Sequence, residues 1–169
     1  MHTAQSLQGF LFVGFSRPRK AAPLSWLIRK VMGTDFSHVF LQFTRNGQVL
    51  IFEASLFGVR YTQASEFKKS NITTHGFRLR SSRPLQDLIN RTCDVIVGRK
   101  YGYKQLIGIL LARMFSLKKN IVSKGLGRQV CSETVGFILE SHFNIKFNKS
   151  LDLVDPLDIH NVLMRKLSK

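Results

Sequence analysis

Cys131, His38 and Glu53 are the three side chains of this 169-residue chain whose types fit one chemistry, acyl transfer through a thiol. A thiolate attacks a carbonyl carbon. An imidazole takes and returns the proton, and a carboxylate fixes the imidazole's tautomer. Cys131 stands where an amphipathic helix is expected to begin, after a loop containing Gly125 and Gly127. A helix amino terminus offers N–H groups without intrahelical partners and the positive end of the helix dipole, which favours thiolate over thiol. The same N–H groups can receive a developing oxyanion. A cysteine on an apolar helix face would instead be an inert core residue.

His38 and Glu53 lie in two β-rich runs, SHVFLQFT and QVLIFEAS, joined at Arg45-Asn46-Gly47. A two-residue turn at Asn46-Gly47 pairs Arg45 with Gln48 and makes His38 and Glu53 diagonal neighbours on one face. A turn at Arg45-Asn46 pairs Thr44 with Gly47 and sets them directly opposite. A three-residue loop would send them to opposite faces. A glutamate inside the apolar run LIFEAS is costly without a partner, which favours the registers that bring it to His38.

The order of these pieces resembles a known family. His38 in SHVFLQF, Glu53 in VLIFEAS and Cys131 in QVCSETVGFIL are similar to the circularly permuted branch of the papain-like, NlpC-type cysteine hydrolases. GRKYGYKQLIG resembles that branch's Gly–Tyr turn, and DPLDIHNVL its closing Pro–Leu helix. The resemblance spans roughly Ser37 to Val162. It implies a Cys–His–Glu triad that cleaves an amide, ester or thioester, with no cofactor. Cys131 would be the nucleophile, His38 the base and Glu53 the orienting residue. Family substrates range from cell-wall peptides to acyl lipids, so the acyl or peptidyl substrate stays open. The related lecithin:retinol acyltransferase branch carries an Asn before and a His shortly after its cysteine. Here the neighbours are Val130, Ser132 and Glu133, a departure that weighs against lipid acyl transfer.

The elements that must position these residues are legible in outline. Leu11 to Phe15 reads as a strand closed by Ser16-Arg17-Pro18. Pro23 opens a helix over Leu24 to Met32, with Leu24, Leu27, Ile28 and Val31 at apolar spacing and Gly33 past its end. Phe57 to Thr62 and Ile72 to Leu79 follow as strands. The second half is helical: Pro84 to Val97, with Leu85, Leu88, Ile89 and Val95 apolar; Tyr103 to Phe115; and Val130 to His142, with Val135, Ile138 and Leu139 apolar. A basic loop, Leu117 to Arg128, separates the last two. Asp155-Pro156 caps a final helix to about Lys166. The expectation is one α+β domain over 1–169, a small antiparallel sheet packed with helices.

Composition sets the remaining bounds. Lys and Arg number 26 against 10 Asp and Glu, net +16, a field that favours nucleic acid, anionic lipid or another anionic surface. This supports a second reading, a catalytically silent basic binding module. No zinc-finger spacing, RNA-binding aromatic motif or basic zipper accompanies the charge. Cys93 and Cys131 form no CxxC pair, which argues against structural zinc and for a reducing compartment. The apolar run Phe10 to Phe15 is short and is followed, not preceded, by positive charge, unlike a signal peptide. Leu106 to Phe115 is far below the ~20 residues of a membrane span. The expected location is the cytoplasm, a virion or a host cell. Among other candidates, Glu133 and His142 read as helix-dipole complements, Cys93 as a buried small residue, and Tyr101 and Tyr103 as packing at a helix start. Asp35 reads as a turn residue, and His75 and His160 are given no partner.

Overall fold

The computed structural model describes residues 9–122 and 128–168. Gly125 and Gly127, placed before Cys131 in the sequence reading, lie outside the described residues. The two β-rich runs form β2 (His38–Arg45) and β3 (Gln48–Ser55). Asn46 and Gly47 both take positive φ (51° and 76°), as a mirror-image two-residue hairpin turn requires. Arg45 therefore pairs with Gln48, the first of the two close registers.

β1 (Phe10–Pro18), β4 (Gly58–Gln63) and β5 (Asn71–Arg80) complete an antiparallel sheet in the order β4-β3-β2-β1-β5. The architecture is α+β. Val39, Leu41 and Phe43 alternate along β2 toward the main core, with Leu11, Val13 and Phe15 from β1. Helices α1 (Pro23–Met32), α5 (Tyr103–Met114), α6 (Cys131–Phe143) and α7 (Pro156–Leu167) supply the other side of that core. Asp155 caps α7 in a reciprocal capping box with Asp158. It is buried and receives Arg113 at 2.7 Å.

The opposite sheet face is also covered. α2 (Ala64–Ser70), an element absent from the sequence reading, places Ala64 and Phe67 over Phe40 and Ile51. The region read as one helix over Pro84 to Val97 is interrupted. α3 (Leu85–Leu88) passes into a π-helical turn, Ile89–Cys93, before α4 (Asp94–Ile96). The wider turn shifts the helical phase, so Cys93 and Ile96 point inward and Val95, expected in the core, is 64% exposed. Leu27 of α1 is likewise exposed, and Met32 is buried there instead. Phe57, read as strand, is the tip of the β3–β4 turn. No described helix is long and apolar enough to cross a membrane.

Gly14 on β1 is the partner of Phe40 on β2, and a Cβ there would run into the Phe40 ring. Gly14→Ala is expected to cost about 1–3 kcal/mol through overpacking beneath the His38 strand, read as a lower urea midpoint with unchanged slope.

Candidate active site

His38 is the first residue of β2 and is fixed from several sides. Its ring lies near Phe40 and Phe67, with centroids 6.4 and 6.3 Å away. The preceding Ser37 donates its N–H to the Ser16 carbonyl at 3.0 Å, and its hydroxyl meets the Ser25 hydroxyl of α1 at 2.6 Å. The β2–β3 ladder runs from Arg45 only as far as Leu41 and Phe52. Beyond that point the strands are linked by the His38–Glu53 side-chain bond, and the Val39 N–H favours the charged form of Cys131.

Cys131 opens α6, which packs on β2 and β3. No side chain caps the first turn of α6, and Val130 before it is extended. Ser132 anchors that turn by donating its hydroxyl to the Val154 carbonyl at 2.6 Å, and Thr134 reaches Gln129 at 3.1 Å. The Cys131 side chain is 4% exposed and interacts electrostatically with His38. Burial works against its ionisation, but the His38 bond and charge, with the Val39 and Ser132 N–H groups, hold its pKa below the usual thiol range.

His38 bridges two partners. Nε2 donates to Glu53 Oε2 at 3.0 Å, which leaves Nδ1 for the thiol. Burial alone would lower the imidazole pKa. The bonds to Cys131 and Glu53 outweigh it and raise the value to about 10. Glu53 is 4% exposed yet fully engaged. Its Oε1 accepts Arg60 Nε at 3.1 Å, Arg60 Nη2 at 3.0 Å and Thr62 Oγ1 at 3.1 Å. Burial opposes ionisation here too, but His38 and Arg60 hold the carboxyl down to about 2. Arg60 and Thr62 were not singled out from the sequence. The signal was their alternation in GVRYTQ, which puts both on the Glu53 face of the neighbouring strand.

A cavity of about 320 Å³ opens beside His38 and Glu53. Its walls are mainly apolar, with Leu24 and Ile28 from α1, Ala54 from β3, and Leu56 and Phe57 from the β3–β4 turn. Tyr101, on the short strand β6 (Lys100–Tyr101), lines the same cavity. Burial, with the Cys131 charge next, holds its phenol well above the ordinary range, so it remains an O–H donor. The sequence reading placed Tyr101 at a helix start only. It is both packed there and part of the cleft wall.

The other titratable candidates stand apart. Cys93 is buried, and burial with the Asp94 charge pushes its thiol up to about 12. His142 bonds Ser81 Oγ at 2.8 Å, and burial, then Arg83, lowers its pKa. It stands in the last turn of α6, where the sequence reading put a helix-dipole complement, and its ring is tied to Ser81 there. His75 and His160 lie against each other, with ring centroids 5.1 Å apart, and Asp35 Oδ1 is 3.4 Å from His75 Nδ1. Glu133 is buried in the first turn of α6, not solvated. Among the described residues no group of three or more His, Cys, Asp or Glu could hold a metal ion.

No family model and no curated protein matches the chain. Among solved structures, the chain is similar to the metalloprotein yiiX from Escherichia coli O157:H7 at 20% identity. That match covers 93% of this chain and 80% of the other, with a TM-score of 0.36. A score of that size carries no inference about chemistry.

The lowered Glu53 pKa has a definite sign. Its contribution to stability is complete above the ordinary carboxylate value of 4.5 and fades as pH falls toward about 2. Urea unfolding of the native chain and Glu53→Gln should therefore differ by on the order of 3 kcal/mol near neutrality. The difference should shrink steadily between pH 5 and pH 2. A gap independent of pH would remove the charged, buried Glu53 from this account.

Proposed function

We propose that this chain is a thiol hydrolase of the permuted papain-like, NlpC-type class, acting on an amide, ester or thioester. The observation that carries the reading is the double engagement of His38, with Cys131 on one side and Glu53 on the other. A thiol at a helix amino terminus, an imidazole on a strand and an orienting carboxylate one strand away are the parts that nucleophilic acyl transfer needs. The α+β arrangement, with α6 packed on β2 and β3, is consistent with that class.

In the proposed cycle the Cys131 thiolate adds to the substrate carbonyl. The resulting oxyanion is received by the Cys131 backbone N–H, with the Tyr101 hydroxyl as second donor. The His38 imidazolium protonates the leaving nitrogen, oxygen or sulfur as its bond to carbon breaks, leaving an acyl-cysteine and a neutral imidazole. Water then gives a proton to His38 and attacks the thioester. Collapse releases the acid and the Cys131 thiolate, and His38 keeps the proton for the next turn. Glu53 holds the ring so that Nδ1 faces the sulfur throughout, and its charge favours the imidazolium. The net charge of +16 would concentrate the enzyme on anionic surfaces.

The test is the pH dependence of Cys131 alkylation by iodoacetamide, read by peptide mass so that Cys93 is scored separately. The native chain should react at pH 6 within a few-fold of its rate at pH 8. His38→Ala should follow a single ionisation near the ordinary thiol value of about 8.5. Parallel profiles in the two proteins would remove the thiolate–imidazolium pair, and with it the hydrolase.

A further inference from the structure

Beside the catalytic cleft, two cations stand side by side with no role in the triad. β6 and β7 (Arg128–Gln129) form a parallel pair in which Lys100 is the direct partner of Arg128. Directly paired residues leave a sheet on the same face, and like charges so placed repel. Lys100 and Arg128 both line a groove of about 230 Å³, together with Leu56, Phe57, Tyr101 and Tyr103. No Asp or Glu lines it, and among the described residues neither cation has an acidic partner. Nothing in the packing requires two positive charges at a two-residue strand pair.

The groove adjoins the proposed site and is tied to the β3–β4 turn by backbone hydrogen bonds. Gly58 has φ 99°, and a Cβ there would meet the Arg99 carbonyl oxygen at 2.6 Å. That close approach lets Val59 donate to the Arg99 carbonyl at 2.9 Å and Gly98 donate to the Val59 carbonyl at 2.8 Å, which clamps β6 to the β3–β4 turn. Tyr103 donates to the Leu56 carbonyl at 3.2 Å from the other side. Leu56, Phe57 and Tyr101 wall both the groove and the catalytic cavity. Tyr101 follows Lys100 directly, and Cys131 lies three residues after Arg128. The catalytic cavity and the groove with the two cations therefore share the wall formed by Leu56, Phe57 and Tyr101.

We infer that Lys100 and Arg128 form an anion subsite, and that the substrate is an acyl compound with an apolar portion and a carboxylate or phosphate near the scissile bond. The substrate statement rests on the hydrolase reading; the anion subsite does not. The two cations give charge-assisted hydrogen bonds to an oxyanion, and Arg128 presents a planar fork suited to either anion. The +16 net charge raises the local concentration of any anion. The paired cations alone select one by its position relative to the carbonyl.

The experiment compares octanoyl thioesters of mercaptoethanol, mercaptopropionate and mercaptoethyl phosphate, followed by loss of thioester absorbance, in the native chain and in Lys100→Gln/Arg128→Gln. An anionic thioester should be favoured over the neutral one by roughly tenfold in kcat/KM, and the double variant should erase that ratio. The better anion separates a carboxylate-bearing, peptide-like substrate from a phosphate-bearing, lipid-like one. Equal rates in the native chain, or a preference that survives in the variant, would overturn the subsite. The ratio of iodoacetate to iodoacetamide alkylation at Cys131 reads the cations without turnover, and it should fall several-fold in the double variant. A chain that cleaves no thioester yet shows this fall keeps the anion subsite and loses hydrolysis. A chain that cleaves all three alike, with an unchanged alkylation ratio, keeps hydrolysis and loses the subsite.

Discussion

The carboxylate of Glu53 is cut off from water, and an ionised carboxylate in that position is tolerated only when its lone pairs are answered by donors. This constraint organises the sheet edge. Oε2 takes the His38 N–H, and Oε1 takes two bonds from Arg60 and one from Thr62. Three adjacent strands must therefore hold one register relative to each other. A slip of one residue in β4 would turn both Arg60 and Thr62 to the other face and leave a charge without donors. The left-handed turn at Asn46-Gly47 and the Gly58 approach to Arg99 hold that register from the two ends of β3.

From this anchor the arrangement passes outward through His38 to the helices. With Nε2 committed to Glu53, the ring can offer only Nδ1 to a thiol, and the Phe40 and Phe67 rings limit where it can tilt. The thiol comes from α6, which packs on β2 and β3. Ser132 of α6 is tied to Val154, and the following α7 is locked by the Asp155–Asp158 box and Arg113. The capped helix α7 thus braces the segment that holds the first turn of α6 through Ser132 and Val154.

Much of this was legible in the residues. The Asn-Gly turn, the alternation along β2 and the awkward glutamate in LIFEAS were enough to bring His38 and Glu53 to one face. The Asp-Pro start of the last helix is a strong local signal, and the structure places the helix there. What escaped detection depended on contacts between distant segments. Arg60 and Thr62 look like the solvent face of an edge strand until β4 is placed against β3. α2 has only seven residues and two buried anchors, too few to establish a helical period. The π-turn at Ile89–Cys93 shifts the phase of its helix without any glycine or proline to announce it, which is why Val95 was placed inward. Tyr101 lies in a two-residue strand whose only partner is nearly thirty residues away in sequence, so its place in the cleft wall had no local signature.

The chain also contains its own controls for what makes a buried group reactive. Cys93 and Cys131 are both buried thiols, and His38, His142 and His160 are all shielded imidazoles. Burial alone resists the charged form in every case, raising a thiol and lowering an imidazole. Cys93 has Asp94 beside it, a like charge to its thiolate, and is pushed further up. His142 faces Arg83 and His160 faces His75, so the nearby positive charges add to burial and both are driven toward the neutral form. Only at Cys131 and His38 do the two resisting groups answer each other. In the proposed pair each charged form offsets the cost of burying the other: His38 is raised by Cys131 and Glu53, and Cys131 is lowered by His38. Burial, which resists charge at Cys93, His142 and His160, would strengthen the proposed pair by excluding water from it. The difference lies in the register of three strands and the aim of one helix, not in the residue types themselves.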